Sequence, residues 1–160
     1  MPNVTIFQIV TLSIAIIGAV LGLINTWFGL DRARLKLKVI PAHAIPLGSS
    51  DERLQFCIEI INLSIFPVTI SEAGVFFYGT DRRGRIINPV FADGGRWPRK
   101  LESRESITVY SQVPDLENGE RIRCAYAKTQ CGCVKVGSSP ALRQISRERC
   151  LGTNFIEVWE

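Results

Sequence analysis

Four cysteines in the last third of the chain are the residues whose type most readily suggests chemistry. Cys124, Cys131, Cys133 and Cys150 could offer four thiolates to a tetrahedral metal. Their spacing argues otherwise, because Cys131-Gly132-Cys133 lacks the two-residue gap of a zinc knuckle and Cys150 falls on or beyond an expected helix. Cysteine is also a frequent small core residue. The expectation is no metal and no cofactor. A local cross-link from Cys124 to Cys133 would require the two to face each other across a hairpin. With Cys57 the cysteines number five, and the odd count agrees with a reducing compartment.

Nucleophilic catalysis finds little support. His43 is the only histidine, so a Ser-His-Asp or Cys-His pair would have to use it, and it sits in a proline-flanked stretch. No G-x-S-x-G, H-E-x-x-H, P-loop or G-x-G-x-x-G motif occurs, and no carboxylate pair stands out from the surface charges. A protein that is not an enzyme is expected.

The sharpest candidate for recognition is basic. Arg82, Arg83 and Arg85, followed by Arg96, Trp97, Arg99 and Lys100, gather cations in what read as loops. Guanidinium forks match phosphate bidentately, and Trp97 could stack on a base or fill a partner's pocket. That reading calls for an anionic ligand or an acidic protein partner. The alternative is a solvated basic turn, with Trp97 packed under a sheet edge and Gly94-Gly95 forming a tight bend. Duplex nucleic acid is a poor fit, since the net charge of +4 is modest and several cations adjoin a membrane boundary.

The elements that must position these residues begin with a helix. No charged side chain occurs before Asp31, and Ile9, Leu12, Ile14, Ile16, Ile17, Val20, Leu21, Leu23 and Ile24 make the segment apolar. The run exceeds the ~20 residues that cross a hydrocarbon core of ~30 Å. Trp27 and Phe28 sit where an interfacial anchor belongs, and Arg32, Arg34, Lys36 and Lys38 follow. This one-sided basic flank predicts an inner-membrane, single-pass protein with its N-terminus outside and its C-terminal domain cytoplasmic. A cleaved signal peptide fits less well, lacking a basic start and an A-x-A-like exit.

Gln8, Thr11, Ala15, Gly18, Gly22, Asn25 and Gly29 recur at alternating three- and four-residue spacing along that helix. Small residues let helices approach closely, and the Gln8 and Asn25 amides favour a bundle interior over lipid. A homo-oligomer is expected. The average repeat of 3.5 residues suits a left-handed bundle, whereas Gly18 to Gly22 forms a G-x-x-x-G motif compatible with a right-handed pair.

Residues 1–33 are thus helix and basic flank, and residues 34–160 read as one mainly-β domain. Leu35, Leu37 and Val39 alternate with Arg34, Lys36 and Lys38; a turn-rich loop at Pro41, Pro46, Gly48, Ser49 and Ser50 precedes a second strand from Leu54 to Ile60. A third opens at Val68 and runs to Tyr78, with Gly74 as a candidate bulge. Ile86 to Phe91 suggests an edge segment and Ser106 to Tyr110 a clear strand. Arg121–Thr129 and Cys133–Val136 read as a hairpin around Gln130-Cys131-Gly132. Ser139-Pro140 opens a short helix carrying Leu142 and Ile145 and ending before Gly152, and Phe155 to Trp159 reads as a last strand or docking tail.

Short strands with frequent turns suggest a sandwich or barrel. The run Asn62-Leu63-Ser64-Ile65-Phe66-Pro67-Val68-Thr69-Ile70, then Trp97-Pro98 to Leu101 and Glu105 to Val109, resembles the immunoglobulin-like modules of small bacterial membrane-anchored proteins, across about residues 35–137. The resemblance implies an immunoglobulin-like β-sandwich; most such proteins have no defined function, and fold alone supplies none. The leading expectation is a membrane-anchored, self-associating, non-enzymatic interaction protein. The alternative is an oligomeric pore-forming or membrane-disrupting effector whose basic cytosolic domain senses a phosphate-rich ligand such as a signalling nucleotide.

Overall fold

The absence of charge before Asp31 and the two-residue alternation after it produce two different kinds of structure. The computed structural model describes residues 6–44, 51–114, 116 and 120–156. The chain divides into two compact units between Leu35 and Lys36.

The first unit is helix α1, Ile6–Ala33, 28 residues with no buried side chain. At ~1.5 Å per residue it is roughly 42 Å long, more than a ~30 Å hydrocarbon core. The Thr11, Ser13 and Thr26 hydroxyls each donate to the carbonyl four residues earlier at 2.9 Å, so these polar groups are satisfied within the helix. By length and composition α1 can cross a membrane, and a signal sequence would meet the same criteria.

The second unit is mainly β, with two antiparallel sheets. One contains β1 (Leu37–His43), β2 (Phe56–Asn62), β5 (Val90–Phe91) and β7 (Ser106–Ser111), in the order β1-β2-β7-β5. The other contains β3 (Val68–Phe77), β4 (Arg83–Arg85), β6 (Arg99–Leu101), β8 (Ile122–Thr129) and β9 (Val134–Gly137). Its order is β4-β3-β8-β9, with β6 also pairing β3. A final helix, α2, spans Pro140–Ile156.

Alternation explains the core. Phe56, Ile58 and Ile60 of β2 are fully buried, and Ile58 lies opposite the equally buried Val109 of β7. Ile70, Val75, Ala125 and Ala127 form the inner face of the other sheet. Each large apolar side chain removed from water contributes about 1.5–3 kcal/mol before the entropy of ordering is subtracted. Leu142 and Ile145, three apart on α2, are buried as their spacing predicts. Ser139 caps that helix, its Oγ accepting from the Leu142 N–H at 3.1 Å.

Two polar fixtures organise the interior. Asn62 is fully buried; its Nδ2 is shared among the carbonyls of Phe66 (2.9 Å), Leu101 (3.3 Å) and Glu102 (3.0 Å), while its Oδ1 accepts from the Ser64 N–H at 3.0 Å. It ties the end of β2 to β6. Where the chain enters β1, the Lys36 N–H donates to Ser64 Oγ at 2.8 Å and the Lys36 carbonyl accepts from the Leu63 N–H at 2.8 Å.

Several expectations are corrected. Pro41 is not in a loop: it is buried within β1, opposite Ile58, and is tolerated because β1 ends its sheet and needs no donor on the open side. Gly74 is not a bulge. The register shifts of β3 and β8 lie at Ile70/Glu72 and Phe76/Phe77, and Gly74 is required instead because a Cβ there would come within 2.0 Å of the Gly84 carbonyl oxygen. Helix α2 does not stop before Gly152 but continues through it, so Phe155 and Ile156 are helical and form no last strand. Residues 46–50 and 157–160, including the rest of the expected loop and tail, lie outside the described residues.

Candidate functional site

The arginines expected in loops are partly strand residues on the side of β3 away from β8. Arg83 pairs with Phe76 and Arg85 with Gly74 through β4, while Arg99 pairs with Ile70 through β6. The two basic clusters therefore lie end to end along one edge. Most of these cations meet a carboxylate. Arg82 bonds Glu120 at 2.7 Å, Arg83 and Arg85 each approach Glu72 at 3.6 Å, Lys100 bonds Glu102 at 2.7 Å, and Arg99 bonds Asp93. Only Arg96 has no ion pair among the described residues of this group. Exposed pairs stabilise by only ~0–1 kcal/mol, but they occupy the donors that a phosphate would need.

Glu72 differs from the other acids in being buried on the outer face of the sheet. The Tyr126 hydroxyl lies 3.5 Å from its Oε1, and the Tyr126 ring stacks at 4.7 Å on Phe76. Burial pushes the Tyr126 phenol above its usual value. At the other cluster, the Gly95 N–H first and Arg99 after it hold the Asp93 carboxyl below the ordinary carboxylate range. Trp97 packs edge-on against Phe91, with ring centroids 5.1 Å apart and planes at 83°. Its indole N–H is buried and has no hydrogen-bond partner among the described residues. This is the packed arrangement, not a free stacking platform.

The cysteines are dispersed. Cys124 is buried in β8 opposite Phe76, while Cys131 and Cys133 are exposed in the β8–β9 turn and Cys150 falls on α2. The condition for a Cys124–Cys133 cross-link is not met by the register: Thr129 meets Cys133, its N–H donating to the Cys133 carbonyl at 2.9 Å, and Ala125 pairs with Gly137. Thr129 Oγ1 lies 3.1 Å from Cys131 Sγ, and this hydrogen bond is the main influence lowering the Cys131 thiol. Desolvation raises Cys57, which is buried in β2. His43 closes β1 opposite Phe56.

The helical stripe is intact on α1. Gln8, Thr11, Ala15, Gly18, Gly22, Asn25 and Gly29 are all exposed. At ~100° per residue they fall within an arc of ~100°, a single face. A Cβ built on Gly18, Gly22 or Gly29 meets nothing within 4 Å, so packing inside this chain does not require glycine at those places.

Sequence reasoning missed a second basic site. The start of β8 and helix α2 enclose a cavity of about 360 Å³ lined by Tyr78, Arg121, Arg123, Arg143, Ser146 and Arg147. Strand β8 supplies Arg123, and Arg121 lies just before the strand, while the helix supplies Arg143 and Arg147 at i and i+4, so both of the latter sit on one helical face. The only signal available in the sequence was that i,i+4 repetition. A larger cavity of about 490 Å³ lies near Phe56, Val75 and Val113, but its arginines, Arg53 and Arg85, are paired with Asp51 and Glu72.

No family model matches the chain, and no curated protein matches it either.

Proposed function

We propose that the chain is a single-pass membrane protein that self-associates through α1 and carries a non-enzymatic, immunoglobulin-like interaction domain on the cytoplasmic side. The observation that carries this reading is the small-residue face of α1, which is exposed and whose glycines no packing among the described residues requires. Glycine and alanine on that face allow backbones to approach, and the Asn25 amide is better placed in a bundle interior than against lipid. The cations following the helix support a cytoplasmic C-terminal side.

Strand order supports the immunoglobulin-like reading. The orders β1-β2-β7-β5 and β4-β3-β8-β9 follow A-B-E-D and C′-C-F-G when strands are lettered along the chain, with β6 as an additional short strand. Such a domain presents edges and sheet faces to partners and needs no catalytic group.

The test is the mass of the full chain in nanodiscs, with cross-linking as a second measure. Replacing Gly18 and Gly22 by Leu is expected to convert the oligomer to monomer, while Leu21→Ile with Leu23→Ile leaves it unchanged. An identical oligomer for wild type and the glycine variant overturns association through this face. A wild-type monomer does the same.

A further inference from the structure

We propose that the cleft between the start of β8 and helix α2 is a binding site for a phosphate ester, with Arg121, Arg123, Arg143 and Arg147 contacting its oxygens. The inference stands apart from helix association. Four guanidinium groups from two elements line one cavity, and its lining contains no carboxylate. Among the described residues none of the four has an acidic partner. Glu120, next to Arg121 in the chain, is bonded to Arg82, and Glu148, next to Arg147, is bonded to Gln144.

Like charges at i,i+4 on a helix repel, as do cations crowded on neighbouring elements. An anion in the cleft would convert that repulsion into charge-assisted hydrogen bonds. Guanidinium forks suit phosphate in particular because two parallel N–H groups match two phosphate oxygens.

The other lining groups complete the site. Ser146 is buried, and its Oγ accepts from the Ile122 N–H at 2.9 Å, which fixes the hydroxyl and leaves its hydrogen free to donate. Arg123 lies over the Phe76 ring at 5.7 Å, an arrangement that restrains the guanidinium. Tyr78 is well exposed and offers a flat face and a hydroxyl beside the arginines. A cavity of about 360 Å³ exceeds what an inorganic phosphate fills and falls in the range that small-molecule ligands occupy. The shared chemistry is therefore a phosphate ester, carried by a soluble metabolite or by a lipid headgroup.

The experiment uses the full chain in phosphatidylcholine nanodiscs, titrated calorimetrically with inorganic pyrophosphate, and in parallel in nanodiscs containing phosphatidylglycerol, with retained lipid read by native mass spectrometry. Saturable pyrophosphate binding assigns a soluble source, and selective retention of phosphatidylglycerol assigns a lipid source. In either case Arg143→Gln with Arg147→Gln is expected to weaken binding on the order of tenfold or more, since each charged hydrogen bond lost is substantial. Arg121→Gln with Arg123→Gln should do the same from the strand side, leaving α2 unaltered should the helix variant fail to fold. Arg99→Gln with Lys100→Gln, whose carboxylate partners Asp93 and Glu102 lie outside the cleft lining, should leave binding unchanged. The proposal is overturned when wild type binds neither probe, or when folded cleft variants bind as wild type does.

Discussion

Two groups of arginines on the β-rich unit, alike in residue type and exposure, differ in what faces them. Along the β4–β6 edge, Arg82, Arg83, Arg85 and Arg99 each meet a carboxylate, and Lys100 does too. Around the β8–α2 cleft, Arg121, Arg123, Arg143 and Arg147 meet none among the described residues. The edge group is dense in sequence and compensated in space; the cleft group is scattered in sequence and concentrated in space. Local density of arginine is therefore a poor guide to an anion site, because a sequence rich in arginine is often interleaved with the acids that neutralise it. What matters is whether the fold brings cations together faster than it brings their partners.

The comparison can be broken most severely at Asn62. Replacing it with Ala leaves the buried Leu101 carbonyl, the part-buried Glu102 carbonyl and the buried Ser64 N–H without this partner, and is expected to cost about 2–4 kcal/mol in urea unfolding. The loss should fall on the β6 edge, so the folded fraction should keep the anion affinity of the cleft. Parallel loss of both would mean that the two regions are not independent.

A smaller effect is expected at Ser146. Ser146→Ala removes the acceptor of the Ile122 N–H and should destabilise by about 1–2 kcal/mol, measured by the same unfolding curve. Unlike Asn62→Ala, it should also weaken pyrophosphate binding in the variant that remains folded. The smallest change is sought at Glu72, where Glu72→Gln releases Arg83 and Arg85 from their shared acid. Stability should move by about 1 kcal/mol or less, while calorimetry should detect weak pyrophosphate binding that the edge previously lacked. No gain would mean that countercharge is not what separates the two groups.

The parts of this fold that depend on near neighbours were legible in the sequence. The alternation of Phe56, Ile58 and Ile60, the turn at Gln130-Cys131-Gly132 with Gly132 at φ +90°, and the Ser139-Pro140 helix start all need only a few adjacent residues to specify them. Features that depend on a distant strand were not. Pro41 reads as a loop residue unless β1 is known to be an edge, and Gly74 reads as a bulge unless the approach of Gly84 is seen. The end of α2 was misjudged because a glycine inside a helix is tolerated at a modest cost, ~1 kcal/mol, and is no obligatory stop. The cleft was invisible for the same reason as Pro41: Arg121 and Arg143 become neighbours only after α2 docks on β8.

The clamp at Lys36 has a mechanical consequence. A pull transmitted along the chain from α1 reaches the β-rich unit at this residue, before the first rung of the β1–β2 ladder, Leu37 opposite Asn62. Strand ends ordinarily fray one rung at a time under load, since terminal bonds have the least support. Here two further bonds, to Ser64 and Leu63, must break before that rung carries tension, and the rung itself ends on the immobilised Asn62. The arrangement resembles strain relief where a cable enters its housing: a pull on α1 loads the bonds at the entry point before it loads the ladder behind them.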